Sequence, residues 1–236
     1  MDIRYRFIPN KIISKAVKMI SEVLRVTLYF PKKLISLFFF RKQYEIKAAY
    51  YHRGHPQHYD DTAKKDEWQK EVYEYALKFA EEKHLETVLD YGCGSAYKLL
   101  KYFKNYEFAG LDIEPTLSWL KKNYSENMWL SPDELIKNKK KFDFIICADV
   151  IEHISDPNQL INYLKKLDSN VIVLSTPDRG LLNNKYNQIG PPLNPSHCRE
   201  WNFEEFENYI GKNFRVIDHR IINKEQFTQL ILCTKF

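Results

Sequence analysis

The sequence predicts an α/β fold in which a mostly parallel sheet, flanked by helices, ends in an antiparallel hairpin. Short apolar runs alternate with helical patterns between residues 87 and 210, and this alternation is typical of βαβ units. The last two runs, Phe214–Ile222 and Gln226–Phe236, are separated by only three residues, which is too short a connection for parallel strands. The 236 residues suffice for one such domain and an appendage.

The individual elements follow from the periodicity of the apolar residues. A helix of about 20 residues comes first and carries on one face Trp68, Val72, Ala76, Phe79 and Ala80. Apolar runs predict buried strands at Thr87–Tyr91, Glu107–Asp112, Phe142–Ala148 and Val171–Ser175. Helical spacing predicts helices at about Ala96–Phe103, Thr116–Tyr124, Asn158–Leu167 and Phe203–Ile210.

Residues 1–42 carry all of the excess positive charge. Ten Lys/Arg oppose two acids there, giving +8, whereas the rest of the chain has 26 basic and 29 acidic residues, or −3. Apolar residues recur at helical spacing between Lys11 and Phe30, with charges on the opposite face. No apolar stretch is long enough to span a membrane. The pattern favours an amphipathic helix that lies on an anionic membrane surface. This location predicts a cytoplasmic protein at the inner face of the cell membrane. Alternatively, the helix packs on its own domain or on a second copy of the chain.

Residues 43–63 are irregular and predict a lid or linker before the main domain at 64–236. His52, His55 and His58 recur at steps of three, but Gly54 and Pro56 argue against a regular helix that would align them. The four cysteines are scattered and form no C-x-x-C pair. The sequence therefore predicts no metal site and no disulfide framework.

A glycine turn follows the first predicted strand, and its chemistry suggests a cationic ligand. Asp90 precedes Gly92 and Gly94, so backbone can approach a ligand at the start of the next helix. The dinucleotide fingerprint requires glycine where this chain has Tyr97. A carboxylate before the turn suits the sulfonium and ammonium of S-adenosylmethionine. Asp112, 22 residues after Asp90, stands where a ribose-binding acid is expected in open α/β sheets.

Four segments, in order, resemble the motifs of class I S-adenosylmethionine-dependent methyltransferases. These segments are Val88–Gly94, Gly110–Ile113, Phe142–Ile154 with the following Asp156-Pro157, and Val171–Pro177. The resemblance implies a Rossmann-like, seven-stranded sheet and S-adenosylmethionine as cofactor. It implies cofactor-binding roles for Asp90, Tyr91, Gly92, Cys93, Gly94, Asp112, Ile113, Asp133 and Asp149. The frequent third glycine is replaced by Ala96, and Asp133 is alternatively a helix N-cap; Gln69 and Tyr59 are candidates to close over the cofactor.

The acceptor side is predicted from two histidines and a long loop. His153 follows the fourth-strand motif, and the segment from Gly190 to Trp201 is similar to one in methyltransferases associated with bacterial cell-surface polysaccharide synthesis. His153 is a candidate base because it would lie at the carboxyl edge of the sheet, where the ligand crevice is expected, and the adjacent Glu152 is a candidate for binding substrate. The similarity of the loop segment implies that His197 acts as base or binds the acceptor, and that Arg199 binds an acidic or phosphate group. Alternatively, His153 braces its loop, Arg199 and Glu200 form an ion pair that fixes the loop, and Trp201 packs underneath.

These features together predict an enzyme that O-methylates a glycan or glycolipid precursor at the membrane surface. A lipid-linked quinone precursor as acceptor is the alternative, as is a methyltransferase-fold scaffold without activity. A nucleic-acid partner is disfavoured because the positive charge lies in one terminal segment and no Asn/Asp-Pro-Pro-Tyr/Phe tetrapeptide occurs.

Overall fold

The computed structural model describes residues 43–46, 53, 54, 57, 60–181 and 191–236. The predicted amphipathic segment 1–42 lies outside the described residues, as do His52, His55, His58 and Tyr59. The chain divides into two compact units, and the first of them, residues 1–43 and 47–49, is described only at Gln43. Within the described ranges, no helix has the length and apolar character needed to cross a bilayer.

The described part of the second unit contains seven strands and six α-helices. The strands are β1 Thr87–Tyr91, β2 Glu107–Leu111, β3 Trp129–Leu130, β4 Phe144–Ala148, β5 Val171–Pro177, β6 Arg215–Asn223 and β7 Thr228–Thr234. The helices are α1 Lys70–Lys83, α2 Tyr97–Tyr102, α3 Thr116–Asn123, α4 Pro132–Asn138, α5 Pro157–Lys166 and α6 Phe203–Gly211. A 3₁₀ helix, Ile151–His153, follows β4.

All seven strands form one sheet in the order β3-β2-β1-β4-β5-β7-β6. The first five strands pair in parallel, whereas β7 lies antiparallel to both β5 and β6. The predicted Rossmann-like sheet with a terminal antiparallel hairpin is therefore confirmed. The strand order reverses between β1 and β4, and in open α/β sheets this switch point forms a ligand crevice at the carboxyl ends of the strands.

Alternation of side chains along the strands divides the apolar core into two layers. On β4, Ile145 and Cys147 face the layer that contains residues of α4, α5 and α6. Phe144, Ile146 and Ala148 face the layer that contains residues of α1, α2 and α3. Both faces of the sheet are covered, which explains why these strands read as continuous apolar runs in the sequence.

Two expectations about the elements need correction. The first helix is 14 residues long, not about 20, because Gln69 adopts a left-handed conformation (φ 63°) and the helix begins after it; Trp68 therefore precedes the helix and is 48% exposed. The periodicity analysis also did not yield β3 or α4. Strand β3 has only two residues. The capping box of α4 is formed by Ser131 and Glu134, and Pro132 is the first residue of the helix.

Candidate active site

A cavity of about 420 Å³ opens at the carboxyl ends of β1, β2 and β4, at the switch point. Its walls come mainly from the loops that follow these strands, together with residues from the segment before α1, from α1 and α3, and from the loop after β5. The lining residues are Gln57, Asp61, Gln69, Tyr73, Tyr91, Gly92, Cys93, Gly94, Leu111, Asp112, Ile113, Thr116, Ala148, Asp149, Val150, His153, Ile154 and Ser196.

The turn after β1 brings main chain to the cavity surface. Gly92 has φ +75° and Gly94 has φ +53°, in the left-handed region that favours glycine. A Cβ atom at Gly92 would lie 2.5 Å from a methyl group of Val150, so a side chain there would collide with the opposite wall. The turn thus requires glycine for both conformation and space, and its main-chain atoms form this part of the cavity surface.

Asp112 joins the ends of β1 and β2. Its Oδ2 accepts a hydrogen bond from the Gly94 amide (2.8 Å), and its Oδ1 accepts one from the Ile113 amide (2.8 Å). The Gly92 amide donates to the Leu111 carbonyl (2.7 Å) next to it. The carboxylate is only half-buried and lines the cavity, so it both fixes the glycine turn and faces the ligand space.

Asp90 lies fully buried at the end of β1, directly before the lining residues of the turn. The Tyr73 hydroxyl donates to its Oδ2 (2.8 Å), but its Oδ1 has no hydrogen-bond partner among the described residues. Burial raises the pKa of Asp90 to about 7; the Tyr73 hydrogen bond and Lys98 oppose this shift, and Asp112 and Asp61 add to it. A carboxyl group in this state gains free energy from a nearby positive charge.

Two further carboxyl groups make this side of the cavity acidic. Asp61 lies against the turn, since a Cβ at Gly94 would stand 2.1 Å from its carboxylate oxygens, and burial raises its pKa. Burial likewise raises the pKa of Asp149, whose Oδ1 accepts from the Ser175 hydroxyl (2.6 Å). With Asp90 and Asp112, four carboxyl groups surround the glycine turn, and this arrangement favours a ligand with cationic groups.

Two histidine rings stand at the other side of the cavity. His153, at the end of the 3₁₀ helix, lines the wall, and its Nδ1 lies 2.8 Å from the Ser196 carbonyl oxygen. The His197 ring lies behind it, perpendicular, with centroids 4.8 Å apart. Nδ1 of His197 lies 2.7 Å from Oε1 of Glu200, while Asn194 Nδ2 lies 2.9 Å from its Nε2. These partners assign the Nδ1–H tautomer to both rings.

Glu152 is buried next to these histidines. One carboxylate oxygen accepts from the Thr176 hydroxyl (3.0 Å), and burial, followed by the charge of Asp149, raises the pKa of the group well above its ordinary value. The carbonyl of Glu152 accepts from the Cys198 amide (2.7 Å), which fastens the loop after β5 to the loop after β4. The histidines are therefore held together by backbone contacts between the two loops.

Arg199 occupies a different place from the one the sequence suggested. It is fully buried, does not line the cavity, and donates to the carbonyls of Ile154 (2.6 Å) and Ser155. Its guanidinium lies 4.6 Å from the centre of the Tyr44 ring. The expected ion pair with Glu200 is wrong, because Glu200 pairs with His197 instead. Trp201 does pack underneath, with no exposed surface.

Most of the residues predicted from the sequence meet at this cavity. Those that line it are Tyr91, Gly92, Cys93, Gly94, Asp112, Ile113, Asp149, His153 and the lid candidate Gln69. Asp90, Glu152 and His197 are buried immediately behind these residues. Asp133 is exposed in the first turn of α4 and does not line the cavity, nor is it the N-cap, which is Ser131.

Asp61, Thr116 and Val150 are among the lining residues that sequence reasoning missed. Asp61 belongs to an irregular segment with no motif, and Thr116 begins α3, where only a helix was predicted. Val150 lies in the fourth-strand motif and reaches the glycine turn only through the folded sheet. The order of residues in the sequence carried no signal for these contacts across the cavity.

The described residues fit S-adenosylmethionine, because a glycine cradle and an incompletely paired buried carboxyl group stand together in an acidic cavity. A sequence profile described as a methyltransferase domain matches residues 58–219, more than half of the chain. The chain belongs to this methyltransferase family. No curated protein sequence matches it.

Solved structures agree with the fold of this methyltransferase. The methyltransferase domain of bacterial CtHen1 is 21% identical, with a TM-score of 0.52, and the match covers 70% of this chain and 98% of the other. Magnesium protoporphyrin IX methyltransferase from Synechocystis PCC 6803, solved with bound S-adenosylhomocysteine, is 15% identical over 71% of this chain and 87% of its own, with a TM-score of 0.51. The PH0226 protein from Pyrococcus horikoshii OT3 is 18% identical over 75% and 95%, with a TM-score of 0.54. The chain is thus an S-adenosylmethionine-dependent methyltransferase domain.

The affinity of the methyltransferase for S-adenosylhomocysteine is expected to fall as the pH falls through 7. Asp90 has a raised pKa of about 7 in the free protein, and the ammonium group of S-adenosylhomocysteine favours its ionised form. Protonation below that pKa then opposes binding, so the dissociation constant should rise roughly tenfold between pH 8 and pH 6. Calorimetric titration across this range measures the effect. Asp90→Asn should bind S-adenosylhomocysteine more weakly and lose most of the pH dependence. If the dissociation constant of Asp90→Asn changed with pH as that of the wild type does, Asp90 would be excluded as the origin of the pH dependence.

Proposed function

We propose that this methyltransferase transfers the methyl group to an oxygen atom of a glycan or glycolipid precursor at the cytoplasmic face of the membrane. The observation that supports an oxygen acceptor is the placement of His153 in the wall of the cavity that contains the glycine turn. The glycan and the membrane are inferred from the 190–201 segment and from the +8 charge of residues 1–42.

The residues of the chain have two tasks in this reaction. When bound, S-adenosylmethionine supplies a methyl group on a positively charged sulfur atom, so alignment of the acceptor is the main requirement. The glycine turn and Asp112 hold the cofactor side. On the acceptor side, the Ser196 carbonyl fixes His153 in the tautomer whose Nε2 carries the lone pair, and this nitrogen takes the proton of the acceptor hydroxyl.

A lipid-linked quinone precursor is the second candidate acceptor. It needs the same base, and the basic segment would bring the enzyme to the membrane that contains it. We propose no nucleic-acid acceptor, because residues 43–236, which include the cavity, carry a net charge of −3. Purified enzyme incubated with S-adenosylmethionine and each acceptor class separates the two candidates, and no methylation of either acceptor would contradict both.

Asp112→Ala is expected to weaken S-adenosylhomocysteine binding by about 1–3 kcal/mol. The substitution removes a carboxylate that lines the cavity and also holds the Gly94 amide, so a charge-assisted hydrogen bond is lost. Calorimetric titration of the wild type and the variant measures this difference, with Glu126→Ala, an exposed acid outside the cavity, as control. Wild-type binding of NADH in place of S-adenosylhomocysteine would contradict the assigned cofactor.

Deletion of residues 1–42 is expected to release the protein from anionic vesicles without changing its affinity for S-adenosylhomocysteine. The deletion removes the +8 segment, and electrostatic attraction to anionic headgroups contributes about 1 kcal/mol per basic residue near the surface. Co-sedimentation with vesicles of anionic and of neutral lipid measures the difference. Continued sedimentation of the shortened protein with anionic vesicles would contradict the anchor.

A further inference from the structure

Glu152, His153 and His197 form a cluster that the methyltransfer reaction only partly uses. Each offers one ligand atom, and among the described residues these three atoms all lie within 4.8 Å of one another. The 3₁₀ helix after β4 supplies the first two residues, and the loop after β5 supplies the third. The predicted absence of a metal site rested on sequence spacing, which does not reveal a cluster assembled from two distant loops.

The carboxylate of this cluster is incompletely paired. Glu152 has no exposed surface, and its Oε1 has no hydrogen-bond partner among the described residues, whereas its other oxygen is bound by Thr176. A buried oxygen of this kind loses its hydration without compensation, which costs free energy. A cation beside the two imidazole rings would compensate for that loss.

Both histidines are oriented as metal ligands are. A ligating histidine generally donates its second ring N–H to a carboxylate or a backbone carbonyl, which fixes the other nitrogen as the donor to the metal. His197 has Glu200 in that position, and His153 has the Ser196 carbonyl. Asn194 lies at Nε2 of His197 and would be displaced by an ion.

We propose that Glu152, His153 and His197 bind one divalent transition-metal ion at the acceptor side of the cavity. Two imidazoles and one carboxylate form a set that suits zinc and other first-row divalent ions, and three protein ligands leave at least one position open. His153 lines the cavity, so the open position is reachable by an acceptor oxygen. With an ion bound, Nε2 of His153 coordinates the ion and no longer takes the acceptor proton; the ion would instead lower the pKa of the hydroxyl, whose proton passes to solvent. This role in acceptor binding rests on the proposed function, whereas ion binding itself does not.

The experiment measures metal binding to the full-length chain after removal of any affinity tag. Chelator-treated protein is dialysed against Zn²⁺, and the bound ion is counted by mass spectrometry; Co²⁺ is titrated in parallel and followed by its visible absorption. We expect one ion per chain. Glu152→Gln and His197→Gln should each weaken binding at least tenfold, and Glu200→Gln roughly tenfold through misorientation of His197. The exposed residues His84 and Glu86 provide the controls His84→Gln and Glu86→Gln, which should bind as the wild type does.

Titration with S-adenosylhomocysteine separates failure of this proposal from failure of the proposed function. Variants that keep this affinity are folded at the cofactor side, and their metal binding can be interpreted. A wild type that binds no stoichiometric ion, or Glu152→Gln and His197→Gln variants that bind it as tightly as the wild type, would overturn the site. If Glu152→Gln does not fold, His197→Gln and the cobalt spectrum of the wild type decide. Metal binding without binding of S-adenosylhomocysteine would support the site and contradict the proposed function.

Discussion

Arg199→Met is expected to lower the free energy of unfolding by about 3 kcal/mol. The buried guanidinium donates to the carbonyls of Ile154 and Ser155, and each hydrogen bond to a charged group contributes about 1.5–3 kcal/mol. Methionine keeps much of the length of the side chain but has no donor. Denaturant-induced unfolding, followed by circular dichroism, measures the change, and Arg199→Lys should recover part of it, because an ammonium retains the charge but not the two-pronged geometry.

The same variant distinguishes the two interpretations of Arg199. If the side chain only fixes the loop that carries His197, Arg199→Met loses stability and metal affinity together while S-adenosylhomocysteine affinity stays unchanged. If Arg199 instead binds an anionic group of the acceptor, as the sequence suggested, the variant keeps its stability and only the KM for the acceptor rises. A stable Arg199→Met protein would therefore contradict the structural role assigned by the contacts.

The parts of the fold that sequence predicted well are those with a local periodic signal. Strand β1 has the predicted bounds, and most other predicted elements differ by one or two residues at an end. Strand β3 escaped the periodicity analysis because two residues cannot show a period, although the family resemblance implied seven strands. The start of α1 was placed too early because the left-handed Gln69 gives no signal in the apolar pattern.

The cofactor side of the candidate site was predictable from the sequence, whereas the acceptor side was not. Asp90, the two glycines and Asp112 follow two neighbouring parallel strands, so their meeting at one sheet edge was predictable from order alone. The acceptor side depends on the docking of the loop after β5 against the 3₁₀ helix, through the Cys198 amide and the Glu152 carbonyl. Such a contact joins distant segments, and the sequence indicated the residues but not their partners. Arg199 is an example: the sequence predicted that it binds substrate, but in the structure it is buried and donates to the carbonyls of Ile154 and Ser155.

A second buried arginine lies at the other end of the loop after β5, next to the strand. Arg179 follows β5, has no exposed surface, and forms an ion pair with Glu205 in the first turn of α6. Glu205 also accepts from the Asn202 amide (3.1 Å) as part of a capping box. The pair therefore connects the end of the sheet to the start of the helix, and the segment between them contains His197.

Arg179→Met is expected to lower the free energy of unfolding by about 3–5 kcal/mol, because it leaves the buried carboxylate of Glu205 without its guanidinium partner. Arg179→Met combined with Glu205→Gln should cost less than Arg179→Met alone, since glutamine removes the charge and can still accept from the Asn202 amide. Denaturant unfolding of both single variants and of the double variant completes the cycle. Additive losses would show that the two charges do not stabilise each other, and the ion pair would then contribute nothing to the position of the loop at the histidines.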